Sequence, residues 1–277
     1  MSQVMGRPLG QRLGQSEGVA SLLDRPVTRR GGFSLGVVRI EVRRLLRNRR
    51  TVLFSVALPP IFFLIFGLNS AYASERYGSG NVSADILVSM ALYGAVLATT
   101  SGGAMVSIER ALGWSRQLRV TPLAPVAYIA IKMFTSLVLG AASVAVVYVV
   151  GVLTDKPAMP TWVWIVTGLA VWIGSLLFGA YGLFIGYLLP SENVMQIIGF
   201  TLMLFSFGGG LFIPLSQFSH PLRIMAACTP LWGLNQLCHF ALAGGVFDWR
   251  WAANLVAWLV VFGAGAVWRF SRDTARV

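Results

Sequence analysis

The chain has 277 residues and a formal net charge of +12, yet it is 56% hydrophobic, only 12% charged and has a mean hydropathy of +0.71. Soluble domains are close to one-quarter charged, so this composition argues against a water-soluble enzyme. It also argues against a nucleic-acid-binding module, because no basic, aromatic-interleaved soluble segment remains outside the apolar stretches. The length allows one bundle and no second large domain.

Residues 1–32 are rich in Gly, Arg, Gln and Ser without apolar periodicity, and read as a disordered basic tail. Residues 33–50 then turn helical: Leu35, Val38, Val42 and Leu45 recur at spacings of three and four, while Arg39, Arg43, Arg47 and Arg50 line a different face. This pattern predicts an amphipathic helix lying in the cytoplasmic interface, apolar side down. It serves either as a positive-inside anchor or as an elbow that carries motion into the first span.

Six apolar stretches follow, at about Thr51–Tyr72, Ile86–Val106, Val126–Leu153, Thr161–Leu189, Val194–Ile213 and Trp251–Phe270. A hydrocarbon core about 30 Å thick needs roughly 20 apolar helical residues, and backbone polar groups in lipid must bond internally. The alternation of a membrane β-barrel is absent. The first run, lacking a small-residue cleavage site soon after it, reads as an uncleaved span. The first, second, fourth and fifth runs hold no Lys, Arg, Asp or Glu. The third holds Lys132 near one end, where its stem is expected to snorkel to the interface. No carboxylate pair of the kind that couples protons or cations is expected inside the spans.

Arginine sets the orientation. Eleven lie within residues 1–50, Arg110, Arg116 and Arg119 follow span two, and Arg269, Arg272 and Arg276 end the chain. The other side has Arg76, Lys156, Arg223 and Arg250. The positive-inside rule therefore places both termini and the 107–125 loop in the cytoplasm of a multi-pass plasma-membrane protein.

Within the spans, Pro59-Pro60 should kink the first helix. Ser175, Gly179, Gly182 and Gly186 form a small-residue stripe on the fourth, for packing within the subunit or between subunits. Three glycines, Gly208, Gly209 and Gly210, imply a helix end, a bend or a close backbone approach at the end of span five. The segment 214–250 is too broken by Pro221 and Pro230 to span and too apolar for an ordinary loop. It reads as two short outer helices, Leu222–Cys228 and Leu234–Ala243, with Trp232, Trp249 and Trp251 at interfacial depth. Cys228 and Cys238 leave a disulfide and two free thiols both open. No phosphate-binding glycine loop with its Lys occurs, and His220 and His239 have no metal-ligand spacing.

The loop between spans two and three reads Ile108-Glu109-Arg110-Ala111-Leu112-Gly113-Trp114-Ser115-Arg116-Gln117-Leu118-Arg119-Val120-Thr121-Pro122-Leu123. Its acidic residue, the Gly a few positions on, the Leu and the Thr-Pro resemble the cytoplasmic coupling loop in permease subunits of type-2 ATP-binding-cassette (ABC) exporters. Glu109, Gly113, Leu118, Thr121 and Pro122 match that order. The stretch Gly209-Gly210-Leu211-Phe212-Ile213-Pro214 through Thr229-Pro230 resembles the family's outer re-entrant helices, and the helix before span one matches too. The resemblance covers residues 33–270 and is similar to the daunorubicin-resistance type of drug-efflux permease.

The fold implied is an all-α membrane protein: an interfacial helix at 33–50, a six-span domain at 51–270 with re-entrant helices between spans five and six, and a tail at 271–277. The function implied is half of the pore of an ATP-driven exporter for a drug, antibiotic or lipid-like compound. Catalysis, and ATP-Mg, would reside on a separate cytoplasmic P-loop ATPase, with no cofactor or metal here. Two ATPase copies and a second permease subunit, identical or a paralogue, would complete the complex. Glu109, Arg110, Gly113, Arg116, Leu118, Thr121 and Pro122 would dock on the ATPase, with Arg39, Arg43 and Arg47 of the interfacial helix. Pro59, Phe63, Phe66, Phe205, Phe207, Gly208, Gly209 and Phe212 would line the pathway or gate, the bland reading of each phenylalanine being lipid contact or core packing. A membrane scaffold or sensor without transport is the alternative, and a lipid-acting membrane enzyme lacks the polar residues it would need.

Overall fold

A computed structural model describes residues 35–47, 53–69, 72–113 and 125–275. In chain order it contains α1 (Leu35–Arg47), a π-helical turn (Leu53–Ala57) running into α2 (Leu58–Asn69), and a hairpin of β1 (Arg76–Tyr77) and β2 (Gly80–Asn81). Then come α3 (Val82–Ala111), α4 (Pro125–Thr154), α5 (Thr161–Gly174), α6 (Leu176–Leu188) and α7 (Val194–Gly208). A 3-10 turn (Leu215–Gln217), α8 (His220–Ala227), α9 (Pro230–Ala243) and α10 (Trp249–Ala275) complete it. The antiparallel hairpin pairs Arg76 with Asn81 and Tyr77 with Gly80.

Each expected apolar stretch coincides with a helix, but their lengths divide them. Val82–Ala111, Ala127–Thr154, Thr161–Leu188 and Trp249–Arg272 are long and apolar enough to cross a membrane; Leu53–Leu68 and Val194–Gly208 are shorter. The expected fourth span is interrupted at the single residue Ser175, whose buried hydroxyl donates to the Trp172 carbonyl (2.6 Å), and α5 and α6 together remain one candidate span. Hydroxyls elsewhere in the spans also turn back on their own helix, as Thr99 does to Ala95 O (2.8 Å) and Thr167 to Val163 O (2.7 Å). That supplies buried polar groups with partners where no water is at hand.

The helix α3 is the axis of the bundle; α2, α4, α5, α6, α7 and α9 all pack on it. Its composition makes this feasible. It is rich in Ala, Gly, Ser and Thr, and Ala84, Ala91, Ala95, Ala98, Thr99 and Thr100 are fully buried. Without a hydrophobic driving force between helices in lipid, small residues gain stability by letting backbones approach. The stripe on span four answers them. A Cβ on Gly182 would lie 2.1 Å from the Thr100 carbonyl oxygen, and one on Gly103 would lie 2.5 Å from Gly179 O. The stripe is therefore spent on α3–α6 packing inside the subunit.

The π-helical turn precedes Pro59-Pro60 and absorbs their missing donors. Pro59 has no N–H for the Ser55 carbonyl, and Ser143 of α4 donates to it instead (2.8 Å). At the hairpin, Asn81 Oδ1 accepts from Ala84 N (2.9 Å), capping α3, and from Ala158 N (3.0 Å), while its amide donates to Lys156 O (2.8 Å). One side chain thus fixes the hairpin, the start of α3 and the α4–α5 loop.

The two short helices after α7 start earlier than expected, each with Pro in its first turn. Both cysteines are free, Cys228 exposed and Cys238 buried, which removes the disulfide reading. A membrane-permeant maleimide is expected to label Cys228 in the folded protein and to reach Cys238 only after denaturation, read by peptide mass spectrometry. Equal labelling of both under native conditions would contradict the packing of α9.

Candidate functional site

The end of the bundle that carries α1 holds a buried ionic cluster. The helix α1 packs on α4 with Val38 and Leu45 buried, and the same face carries Glu41. Arg39, Arg43 and Arg47 point away from the protein and are exposed. The face expected to lie on lipid is therefore seated on protein, and it is not purely apolar. Ile40, on the other side, is exposed.

Lys132 on α4 does not snorkel. It is 2% exposed, and its Nζ donates to Glu41 Oε2 at 2.7 Å and to Glu109 Oε1 at 2.5 Å. Arg44 Nη1 adds a bond to Glu109 Oε1 (3.1 Å) and lies 3.9 Å from Glu41 Oε1. Tyr128 donates its hydroxyl to Glu109 Oε2, and Lys132 sits 5.4 Å from the centre of the Tyr128 ring. Two carboxylates face two cations, and both oxygens of Glu109 are engaged. Buried charge is costly unless paired and hydrogen-bonded, and this set meets both conditions. Neither acid falls within an expected span: Glu41 is on α1 and Glu109 on the last turn of α3, past Val106; the correction is to Lys132, which pairs with both instead of reaching the interface.

Glu109 and Arg110 are neighbours on the last turn of α3, yet they tether it to different helices. Arg110 Nη1 donates to Tyr187 O (2.8 Å) and Gly186 O (3.3 Å), the orphan carbonyls at the end of α6. Its guanidinium also lies 5.7 Å from the centre of the Tyr187 ring. Gly113 closes α3 with φ +75°, a left-handed position that favours glycine, and its N–H bonds Arg110 O (3.0 Å). The remaining expected loop residues, Arg116, Leu118, Thr121 and Pro122, lie outside the described residues. Thus α1, α4 and α6 all converge on the single turn of α3 that opens into the loop.

The expected pathway residues separate into two groups. Phe63 is fully buried, Phe205 packs inward against Phe178 (6.3 Å between ring centres) and Tyr181 (5.7 Å), and Pro59 is buried against α3. These are core residues. Phe66, Phe207 and Phe212 instead belong to a continuous aromatic strip: Phe66–Phe62 (5.9 Å), Phe62–Tyr93 (6.2 Å), Tyr93–Phe212 (5.3 Å) and Phe212–Phe207 (5.2 Å). Phe66 and Phe207 are exposed at its ends. The strip crosses from α2 over α3 to the end of α7, with Gly208 and the buried Gly209 forming the helix end beneath it. Phe62 and Tyr93 were not among the expected residues. Tyr93 is separated from Phe212 by over a hundred positions and gives no local signal.

A family model described as ABC-2 type transporter matches residues 35–237. Over 224 residues the chain is 27% identical to YvfS of Bacillus subtilis (strain 168), whose name calls it a transport permease; the match covers 80% of this chain and 90% of that protein.

Proposed function

Because the chain belongs to the ABC-2 type transporter family, as the membrane permease subunit of an ABC transporter, we propose that it forms half of the pore of an ATP-driven exporter. In this reading a separate cytoplasmic ATPase docks on the 107–125 loop and on the exposed Arg39, Arg43 and Arg47 face of α1. Both termini are cytoplasmic, in the plasma membrane. The short helices α2 and α7, extended by their flanking residues, complete six spans. The permease itself holds no nucleotide; ATP-Mg belongs to the ATPase, present in two copies beside two permease subunits.

One observation carries this reading: the α3 turn that leads into the loop is tied by Glu109 to α1 and α4 and by Arg110 to α6. A push on the loop or on α1 therefore reaches three helices together, which suits a rigid-body switch between inward- and outward-facing states. The α3 rod runs from that turn past Tyr93 to the hairpin, so the same motion reaches the aromatic strip. Neither α2 nor α7 contains a Lys, Arg, Asp or Glu, which favours an apolar or amphiphilic cargo, drug-like or lipid-like, drawn from the cytoplasm or inner leaflet.

The test is a tagged purification from native membranes in mild detergent, with mass spectrometry of the associated chains. A P-loop ATPase in equal stoichiometry is the expected result. Recovery without any ATPase, across detergents that keep the permease monodisperse, would overturn the transporter reading in favour of a scaffold or sensor.

A further inference from the structure

At the end of α3 remote from the loop, one imidazole is enclosed by oxygens. His239 on α9 is buried, and its Nδ1 lies 2.9 Å from the Asn235 carbonyl one turn back. Its Nε2 lies 3.1 Å from Ser89 Oγ, 3.3 Å from the Asp85 carbonyl and 3.6 Å from Asp85 Oδ1, all on α3. Both ring nitrogens face a carbonyl, which only accepts, and the shorter contact, to Asn235, favours hydrogen on Nδ1. In the neutral ring Nε2 would then point its lone pair at Ser89, which has a proton to give, and also at two Asp85 oxygens that as carbonyl and carboxylate have none. A second ring proton turns that face into a donor toward the whole set and places an imidazolium beside a carboxylate.

The ring also occupies a mechanical position. One turn before it, Asn235 Nδ2 donates to Gly209 O (3.2 Å) and Gly210 O (3.1 Å), the turn that ends α7 beneath the aromatic strip. One turn after it, the hairpin holds the end of α9, with Ser79 N and Oγ both donating to Leu242 O (2.8 and 3.1 Å). Among the described residues the surrounding charges are few. Asp85 faces the ring directly, and Tyr77 of β1 faces Asp85; burial, and then the Asp85 charge, push the Tyr77 hydroxyl up. On α9 itself Cys238 is the buried neighbour, and Tyr148 of α4 lies behind it. The helices α5 and α7 hold no ionisable side chain, Arg223 of α8 donates to Phe218 O, and Arg250 of α10 is exposed.

We propose that His239 and Asp85 form a proton-operated clamp, in which the doubly protonated ring fastens α9 to α3 and so holds the α7 turn shut, while loss of the proton loosens α9 and frees the turn. The clamp stands on this geometry; that it faces the cell exterior, and acts on cargo release, rests on the export reading above. A state that binds a proton more tightly gains population as pH falls, so acid closes the clamp and alkali opens it. One coupled proton changes the open-to-closed ratio by at most about tenfold per pH unit.

The chain has two histidines, and His220 is exposed, so His220→Gln leaves His239 as the sole imidazole. Nitrogen-15 NMR of that variant in lipid nanodiscs between pH 5 and 8 is expected to show a doubly protonated ring at the acid end, passing to the tautomer with hydrogen on Nδ1. Hydrogen-exchange protection of residues 230–243, corrected for intrinsic rates, is expected to fall by about tenfold over the same interval. Asp85→Asn and His239→Gln should each flatten that response. A ring that stays neutral throughout, or a pH response that survives in His239→Gln, overturns the clamp. In proteoliposomes with the two faces buffered separately, a response to the face opposite the loop supports the whole proposal. A response to the loop's own face keeps the clamp and overturns the proposed orientation.

Discussion

Lys132→Met is expected to detach α1 from the bundle and to abolish coupling, the larger of two disruptions the structure forecasts. Removing the ammonium leaves Glu41 and Glu109 facing each other with only Arg44, which is 39% exposed, to balance them. Breaking a buried ionic set by deleting one partner costs about 3–5 kcal/mol, because the remaining charge stays desolvated. Among the described side chains of α1, Val38, Leu45 and Glu41 are the buried ones, and two buried aliphatics are a weak anchor against that penalty. The expected readouts are a large drop in detergent melting temperature, protease cleavage within 35–47, and ATPase activity of the assembled transporter that no longer responds to cargo. Lys132→Met combined with Glu109→Gln restores charge balance and should recover much of the melting temperature. A single variant that melts with the wild type would mean that the cluster bears no structural load.

Gly182→Val is the second. The position its Cβ would occupy is 2.1 Å from the Thr100 carbonyl oxygen and 2.9 Å from that residue's carbonyl carbon and Cα. These are backbone atoms of the central helix, so no rotamer change relieves the overlap. Relief requires moving α6 away from α3 and, with it, the Gly103–Gly179 approach. Overpacking a tight core costs about 1–3 kcal/mol and occasionally more, and a backbone-to-backbone clash belongs at the upper end. Fluorescence-detected size exclusion is expected to show aggregated or degraded Gly182→Val. The control is Gly199→Val on α7, where nothing lies within 4 Å of the added atom and the profile should stay monodisperse. Wild-type behaviour of Gly182→Val would contradict the α3–α6 contact.

Hydropathy and spacing made the helical body legible, because the bilayer requirement for about 20 apolar residues acts on contiguous sequence. The glycine and serine stripe was legible for the same reason: its spacing of three and four is a property of one helix. The ionic cluster was not, since its partners are 91 and 23 positions apart and their pairing exists only once α1, α3 and α4 meet. Glu41 stood among arginines and read as part of a polar face, while Lys132 near a span end read as a snorkelling side chain. A cation in one apolar stretch together with an unmatched acid in each neighbouring segment was the available signal. The phenylalanines show the converse difficulty. Phe62 and Phe63 are adjacent and chemically identical, yet one joins the aromatic strip and the other is sealed in the core. Adjacent residues on a helix point about 100° apart, so the seating of α2 on α3, not composition, decides which of the two is sealed.

The brevity of α7 bears on the lipid around it. Its 15 residues rise about 22 Å, well short of a hydrocarbon slab about 30 Å deep, and the chain then turns back through α8 and α9 rather than continuing outward. In the six-span reading proposed above, acyl chains beside α7 would shorten or tilt wherever its flanking residues do not make up the difference, at a fraction of a kcal/mol for each ångström of mismatch. In that reading the bilayer would be thinned beside the aromatic strip, and an amphiphile there would have less oil to cross than beside the four long helices.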